Sequence, residues 1–197
     1  MPRYASEHKD LTRQRIIETA GRRLRSSGID GSGVASLMAD AGLTNGAFYR
    51  HFSSKEELVV DVIEEHLREQ AEGYELAATS GETMWDLIDS YLSATHRDDV
   101  ESGCTSAALL DEIARAPESV KTAYGSGVVR LSAALRQLCR LPEETSDAVI
   151  LGILATMVGT LQLARAMSDS EASDAVLEQG KKNAVLLLEA AATTTHP

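Results

Sequence analysis

The stretch Ala41-Gly42-Leu43-Thr44-Asn45-Gly46-Ala47-Phe48-Tyr49-Arg50-His51-Phe52-Ser53-Ser54-Lys55-Glu56-Glu57-Leu58 decides the fold of this chain. Gly42-Leu43 reads as a turn, and Thr44 is an N-cap residue for a short helix over 45–51. Ser54 and Glu57 have capping-box spacing and open a long helix to about residue 78. Upstream, Val34, Leu37, Met38 and Ala41 repeat at helical spacing and predict another short helix over 34–41. Two short helices about a tight turn make a helix-turn-helix. Gly42 is expected to let them approach closely. Phe48 and Phe52, the two phenylalanines of the chain, are expected to anchor the second helix in a small core with Leu24, Leu37 and Leu43.

This shape suits double-stranded DNA. A major groove admits one helix, and only the first turns of that helix reach base edges. Thr44, Asn45, Gly46 and Ala47 form that entering turn, with Asn45 able to bond a base edge or a phosphate. Tyr49, Arg50, His51 and Lys55 supply donors for flanking phosphates. One of Arg22, Arg23 and Arg25 is expected to reach a phosphate as well. Charge is split to match: residues 1–55 carry nine Lys/Arg and five Asp/Glu, whereas residues 56–197 carry 10 and 25. A cationic end on an anionic body binds a polyanion when the body points away, because distant charges are screened. The acidic remainder argues against nonspecific DNA coating.

Working outward, the 197 residues read as all-α: Ala and Leu abound, aromatics are 4%, and net charge is −11. A first helix is expected over 9–27, ending at Gly28. Later helices are expected over 82–97, 104–115, 117–140, 143–167 and 171–192, with Pro117 and Pro142 in first turns and a frayed tail over 193–197. The domains are then 1–55 and 56–197. The apolar run 148–167 contains Gly152, Gly159, Gln162 and Arg165 and reads as a buried helix rather than a membrane span. With two cysteines and no secretory leader, a cytoplasmic protein is expected. Five histidines show no metal-ligand spacing, so no metal and no cofactor are expected. The catalytic motifs of hydrolases, nucleotide-binding enzymes and zinc proteases are absent, so no enzyme is expected.

The run from Gly28 to Leu58, with Arg13, Ile16, Ile17 and Ala20 before it, closely resembles the DNA-binding signature of TetR-family bacterial repressors. The resemblance covers about residues 10–60. It implies an all-helical protein of about nine helices, three of them binding DNA and the later ones forming a ligand-binding and dimerisation core. It also implies that Asn45, Ala47, Tyr49, His51 and Lys55 touch DNA. Three departures stand out. Gly33 replaces a usual Ser/Thr cap, Met38 replaces a usual Ala, and Ala35 occupies a position that often reads a base but cannot hydrogen-bond one.

In the regulatory half, Ala148, Gly152, Ala155 and Gly159 form a small-residue stripe on one helix face. The resemblance implies that the last two helices pair with their mates, giving a homodimer on a palindromic operator whose half-sites lie about one DNA turn apart. Met84, Trp85, Ile88, Tyr91, Leu109, Ile113, Tyr124, Val128, Met157 and Leu161 are candidates to line an effector pocket, Trp85 and Tyr124 foremost. An apolar or weakly polar small molecule would then release a repressor from DNA by moving the helix over 54–78. The alternative centres on Cys104, at a predicted helix N-terminus where the dipole favours a thiolate. Its Gly-Cys context resembles a subset of the family that senses electrophiles, making the protein a thiol-sensing regulator.

Overall fold

In the computed structural model, residues 2–143 and 145–193 are described; the tail beyond 193 lies outside them. Nine α-helices and one 3₁₀ helix follow one another among the described residues: α1 (Pro2–Ser27), α2 (Val34–Asp40), the 3₁₀ helix (Asn45–Arg50), α3 (Lys55–Ser80), α4 (Met84–Tyr91), α5 (Ala94–Asp98), α6 (Thr105–Arg115), α7 (Glu118–Cys139), α8 (Asp147–Arg165) and α9 (Ser170–Thr193). The all-α expectation holds. The first three elements and the start of α3 form a head. The remaining helices form a body in which α3 lies along α7 and α8 along α9.

Local chemistry explains most boundaries. Gly28 ends α1 and Gly81 ends α3 in the left-handed conformation, at φ 77° and 88°. The Ser54 hydroxyl accepts from the Glu57 amide at 3.1 Å. The Glu57 carboxylate returns to Ser53 rather than to Ser54, bonding its amide at 2.7 Å and its hydroxyl at 2.6 Å. The expected capping box is thus displaced by one residue in its second half.

Three expectations are corrected. The helix over 82–97 is two helices: α4 stops at Leu92, and the Ser93 hydroxyl caps α5 by accepting from the His96 amide at 3.2 Å. Pro142 lies outside α8, which begins at Asp147, while Pro117 is the N-cap of α7 rather than a first-turn residue. Gly42 is not a point of close approach, because a Cβ there would meet nothing within 4 Å. Its value is its φ of 67°, which turns the chain from α2 into Leu43.

The inner side of α8 is buried at Ile150, Ile153, Leu154, Met157, Val158 and Leu161. By length and mean hydropathy this one helix among those described could cross a bilayer, yet that side packs into the protein core. The α3–α7 contact is tightest at Gly127, where a Cβ would sit 2.4 Å from Leu67 Cδ1 and 2.8 Å from Leu67 Cβ. Gly127→Ala is therefore expected to overpack the interface and destabilise the fold by roughly 1–3 kcal/mol, read as a lowered chemical-denaturation midpoint.

Candidate functional site

The head is built around two rings. Phe48 and Phe52 are fully buried and stack with centroids 5.5 Å apart, against Leu24, Leu37 and Met38 in the same core. The Arg13 guanidinium lies 4.9 Å over the Phe52 ring and pairs with Asp61 of α3. With Phe48 turned inward, Tyr49 is pushed out: it is 71% exposed, its ring edge-on to Phe48 at 5.3 Å. The segment winds as a 3₁₀ helix, beginning with Ala47 N–H donating to Thr44 O at 2.9 Å. Thr44 occupies the N-cap without a side-chain cap bond, so its hydroxyl is not held by the helix it precedes.

Thr44, Asn45, Gly46, Tyr49, Arg50 and Ala35 are exposed, and Ala47 and His51 are half-buried. Burial, followed by the charges of Lys9, Arg13 and Arg50, lowers the His51 pKa, so the ring is neutral at pH 7 in the free protein. Lys55 is placed differently from its expected phosphate role: its ammonium donates to the carbonyl of Ile29. Arg23 pairs with Asp40, one of its bonds being 3.0 Å, and Arg25 is only 7% exposed. Among the described residues this leaves Arg22 as the unpaired member of that trio.

The head is tied to the body through the loop after α1. Glu112 of α6 accepts from the Ile29 amide at 2.7 Å and the Asp30 amide at 3.0 Å. Gly28 makes room for it, since a Cβ there would lie 2.5 Å from a Glu112 oxygen. A second tie comes from Arg25, whose Nε donates to Glu101 O at 2.6 Å. Burial lowers its pKa to about 10, which leaves it charged at neutral pH. Nothing in the sequence marked Glu112, because it meets Ile29 from 83 residues away.

The other end of α6 carries Cys104. The thiol is buried and free and makes no cap bond to α6; Gln70 Nε2 donates to its sulfur at 3.8 Å. Beside it lies a cavity of about 410 Å³, open to solvent and bordered by His66, Glu69, Gln70, Tyr74, Tyr91 and His96 among others. His66 pairs with Thr105 Oγ1 at 2.8 Å. Among the proposed ligand residues, Cys104 and Tyr91 border this cavity. Tyr124 is not part of its lining and bonds the Ser106 hydroxyl at 2.8 Å. Trp85, Met157 and Leu161 do not line it, and Met157 and Leu161 are core. The lining mixes His66, Glu69, Gln70 and His96 with Leu87 and the rings of Tyr74 and Tyr91. Cys139 is shut away, its thiol pushed up to about 12 by burial. No cluster of three metal-ligating side chains occurs among the described residues.

On the far side of the body, Ala148, Gly152, Ala155 and Gly159 are exposed on α8. A Cβ at either glycine would meet nothing within 4 Å. Val149 and Leu163 of α8 and Leu186 and Leu187 of α9 are also exposed large apolar residues.

Residues 16–62 match the family model described as bacterial regulatory proteins, tetR family. The likeness to that family is carried by the helix-turn-helix segment. Among curated relatives, the uncharacterized regulator YfiR of Bacillus subtilis is 30% identical over 91 residues, covering 46% of this chain and 44% of that protein. The transcriptional repressor NemR of Escherichia coli is 28% identical over 131 residues, covering 64% and 66%. The matched segments thus span less than two thirds of these relatives. In solved structures, the reduced form of Escherichia coli NemR superposes with a TM-score of 0.71 at 22% identity, over 88% of this chain and 94% of that one. A TetR-family regulator from Cytophaga hutchinsonii also gives 0.71, at 19% identity over 94% and 97%. At these identities the structures establish the fold alone.

Burial and the Arg25 charge lower the His66 pKa to about 4, against about 6.5 in the unfolded chain. The unfolded state then binds more protons between these values, so acidification from pH 6.5 to 4 destabilises the native protein. The full effect is roughly 3 kcal/mol. The difference in urea stability between wild type and His66→Gln is expected to shift across that window and to level off outside it.

Proposed function

We propose that this protein is a homodimeric, cytoplasmic repressor whose grip on a palindromic operator is set by the chemical state of Cys104. One observation carries this reading: the thiol and the head-binding carboxylate Glu112 stand at opposite ends of one helix, α6. Residues 1–55 are read as the DNA-binding domain and 56–197 as the sensing and dimerisation domain. Thr44 to Ala47, Tyr49, Arg50 and His51 face the groove, and the exposed small-residue face of α8 with α9 meets a second copy. The likeness to NemR, which has been described in a reduced form, supports a thiol-based switch over a purely reversible apolar ligand.

The mechanism follows from packing. Gly103 has no spare volume: a Cβ there would lie 2.8 Å from His96 Nε2 and 3.0 Å from Asp99 O. A group added to the Cys104 sulfur enters the cavity beside it and presses on its walls, which include the 102–104 segment leading into α6. The loop before α6 holds Arg25 through Glu101, and α6 holds Ile29 and Asp30 through Glu112. Displacing either re-aims the head, so the spacing of two recognition segments departs from one DNA turn. Modification shifts the equilibrium by its differential free energy in the two states.

The test is a gel-shift titration with the DNA flanking the protein's own gene. Reduced protein is expected to bind, thiol-modified protein to bind at least about tenfold more weakly, and Cys104→Ser to bind but ignore the modifier. Release that persists in Cys104→Ser would overturn the thiol reading. Glu112→Ala is expected to bind DNA while losing most of the response to modification. Leu163→Glu on the α8 face is expected to shift light-scattering mass from dimer towards monomer and to weaken operator binding.

A further inference from the structure

Arg25 is only 7% exposed, and its charge is incompletely paired. Its Nε donates to the Glu101 carbonyl at 2.6 Å, while the buried Nη1 has no hydrogen-bond partner among the described residues. Glu69 and Asp99 act on the guanidinium only through space. A buried cation with an unsatisfied donor is costly, and its retention calls for a partner that completes it.

There is room for one. A cavity of about 230 Å³ lies between α1 and α3 and takes in Arg25. Gly21 opens it beside the guanidinium. A Cβ there would lie 3.4 Å from Nη1 and 3.5 Å from Val62 Cγ1, filling free space without a clash. Buried Ile17, Gly21, Arg25 and Val62 form the floor, whereas Glu18, Arg22 and Glu69 stand exposed at the rim. Glu65 also borders the cavity but is held by Arg68 and Gln14, each at 2.8 Å. His66 is neutral because burial and the Arg25 charge lower its pKa to about 4. The lining therefore offers two uncommitted cations, Arg22 and Arg25, against two uncommitted carboxylates, Glu18 and Glu69. Burial, then the Glu65 charge, raises the Glu69 pKa, as expected of a carboxylate that lacks a close cation.

That balance selects the ligand. A simple anion is repelled by Glu18 and Glu69, and a simple cation by Arg22 and Arg25. A molecule with both charges meets the buried guanidinium with one end and the acidic rim with the other. The volume falls below the roughly 300–1,000 Å³ of drug-sized sites, which limits it to a few carbons, packed on Ile17 and Val62. We propose that this cavity binds a small aminocarboxylate, its carboxylate accepting from the Arg25 guanidinium on α1 and its ammonium donating to Glu69 on α3. The bound molecule is a clasp between the head's first helix and the body. His66, Glu69 and Ser102 border both this cavity and the one beside Cys104, but the clasp uses no sulfur and requires no thiol chemistry.

The experiment is calorimetric titration of the full-length protein at pH 7 with four probes of one carbon number. 2-Aminobutyrate and 4-aminobutyrate carry both charges at two spacings; butyrate and butylamine carry one each. At least one aminobutyrate is expected to bind, with butyrate and butylamine each at least about tenfold weaker. Arg25→Met and Glu69→Gln are each expected to weaken that binding at least about tenfold. Because Arg25 also holds Glu101, Gly21→Ala separates binding from folding. It keeps every charge, fills the space beside Nη1, and is expected to melt no lower than wild type while binding at least about tenfold more weakly. Cys104→Ser is expected to bind as wild type does. Binding of neither aminobutyrate, butyrate binding as tightly as the better of them, or unchanged affinity in Gly21→Ala overturns the site. Loss of binding in Cys104→Ser would also overturn it, by moving the ligand to the thiol cavity. These titrations involve neither DNA nor a thiol reagent, so they succeed or fail apart from the thiol switch.

Discussion

The carboxylate of Glu112 accepting two consecutive amides of the loop after α1 is the contact on which the rest depends. Charge-assisted bonds to backbone amides are among the stronger single contacts available to a protein. Lys55 completes the grip by donating to the Ile29 carbonyl between them. One peptide segment is thereby held by α6 of the body and by the first residue of α3. The head of α1, α2 and the 3₁₀ helix is otherwise joined to the rest through α3, to which Arg13 and Gln14 bond at Asp61 and Glu65, and through Arg25 at Glu101.

That grip gives the body a handle on the DNA-binding segment. α6 is short and straight, with Cys104 at its start and Glu112 two turns on. The loop before it is pinned three ways: by Arg25 to Glu101, by His96 to the Cys104 amide, and by the tight fit of Gly103. α5 is in turn held by α8, whose Arg165 donates to the carbonyls of His96 and Arg97 at 2.8 and 3.0 Å. Arg97 reaches Asp174 of α9 at 2.6 Å. The thiol therefore stands where paths from the head and from the exposed α8–α9 face converge. Packed elements of this kind respond by stepping between arrangements rather than by yielding gradually.

The proposed sensing site has the same economy of parts. Neutral His66 and His96 flank the thiol because burial disfavours their charged forms. The cavity beside the thiol thus carries uncharged imidazoles together with the Gln70 amide and the Glu69 carboxyl group.

The sequence by itself determined the helix-turn-helix and its core. Leu37, Met38, Phe48 and Phe52 follow local periodicity, and the ends of α1 and α3 follow from Gly28, Ser54 and Gly81, whose effects act within a turn of the chain. The outward placement of Asn45 and Tyr49 was legible for the same reason. Tertiary structure alone decided what the polar side chains bind. Lys55 was drawn to Ile29, Arg23 to Asp40, and Arg25 into the interior, because a carbonyl or carboxylate brought close by the fold competes for a cation that sequence shows only as a charge. It also divided 82–97 at Leu92 and gathered Gln70, Tyr91, His96 and Cys104 around one cavity. Those residues lie on four segments with no shared period, and only the packing of α3, α4, α5 and α6 makes them neighbours.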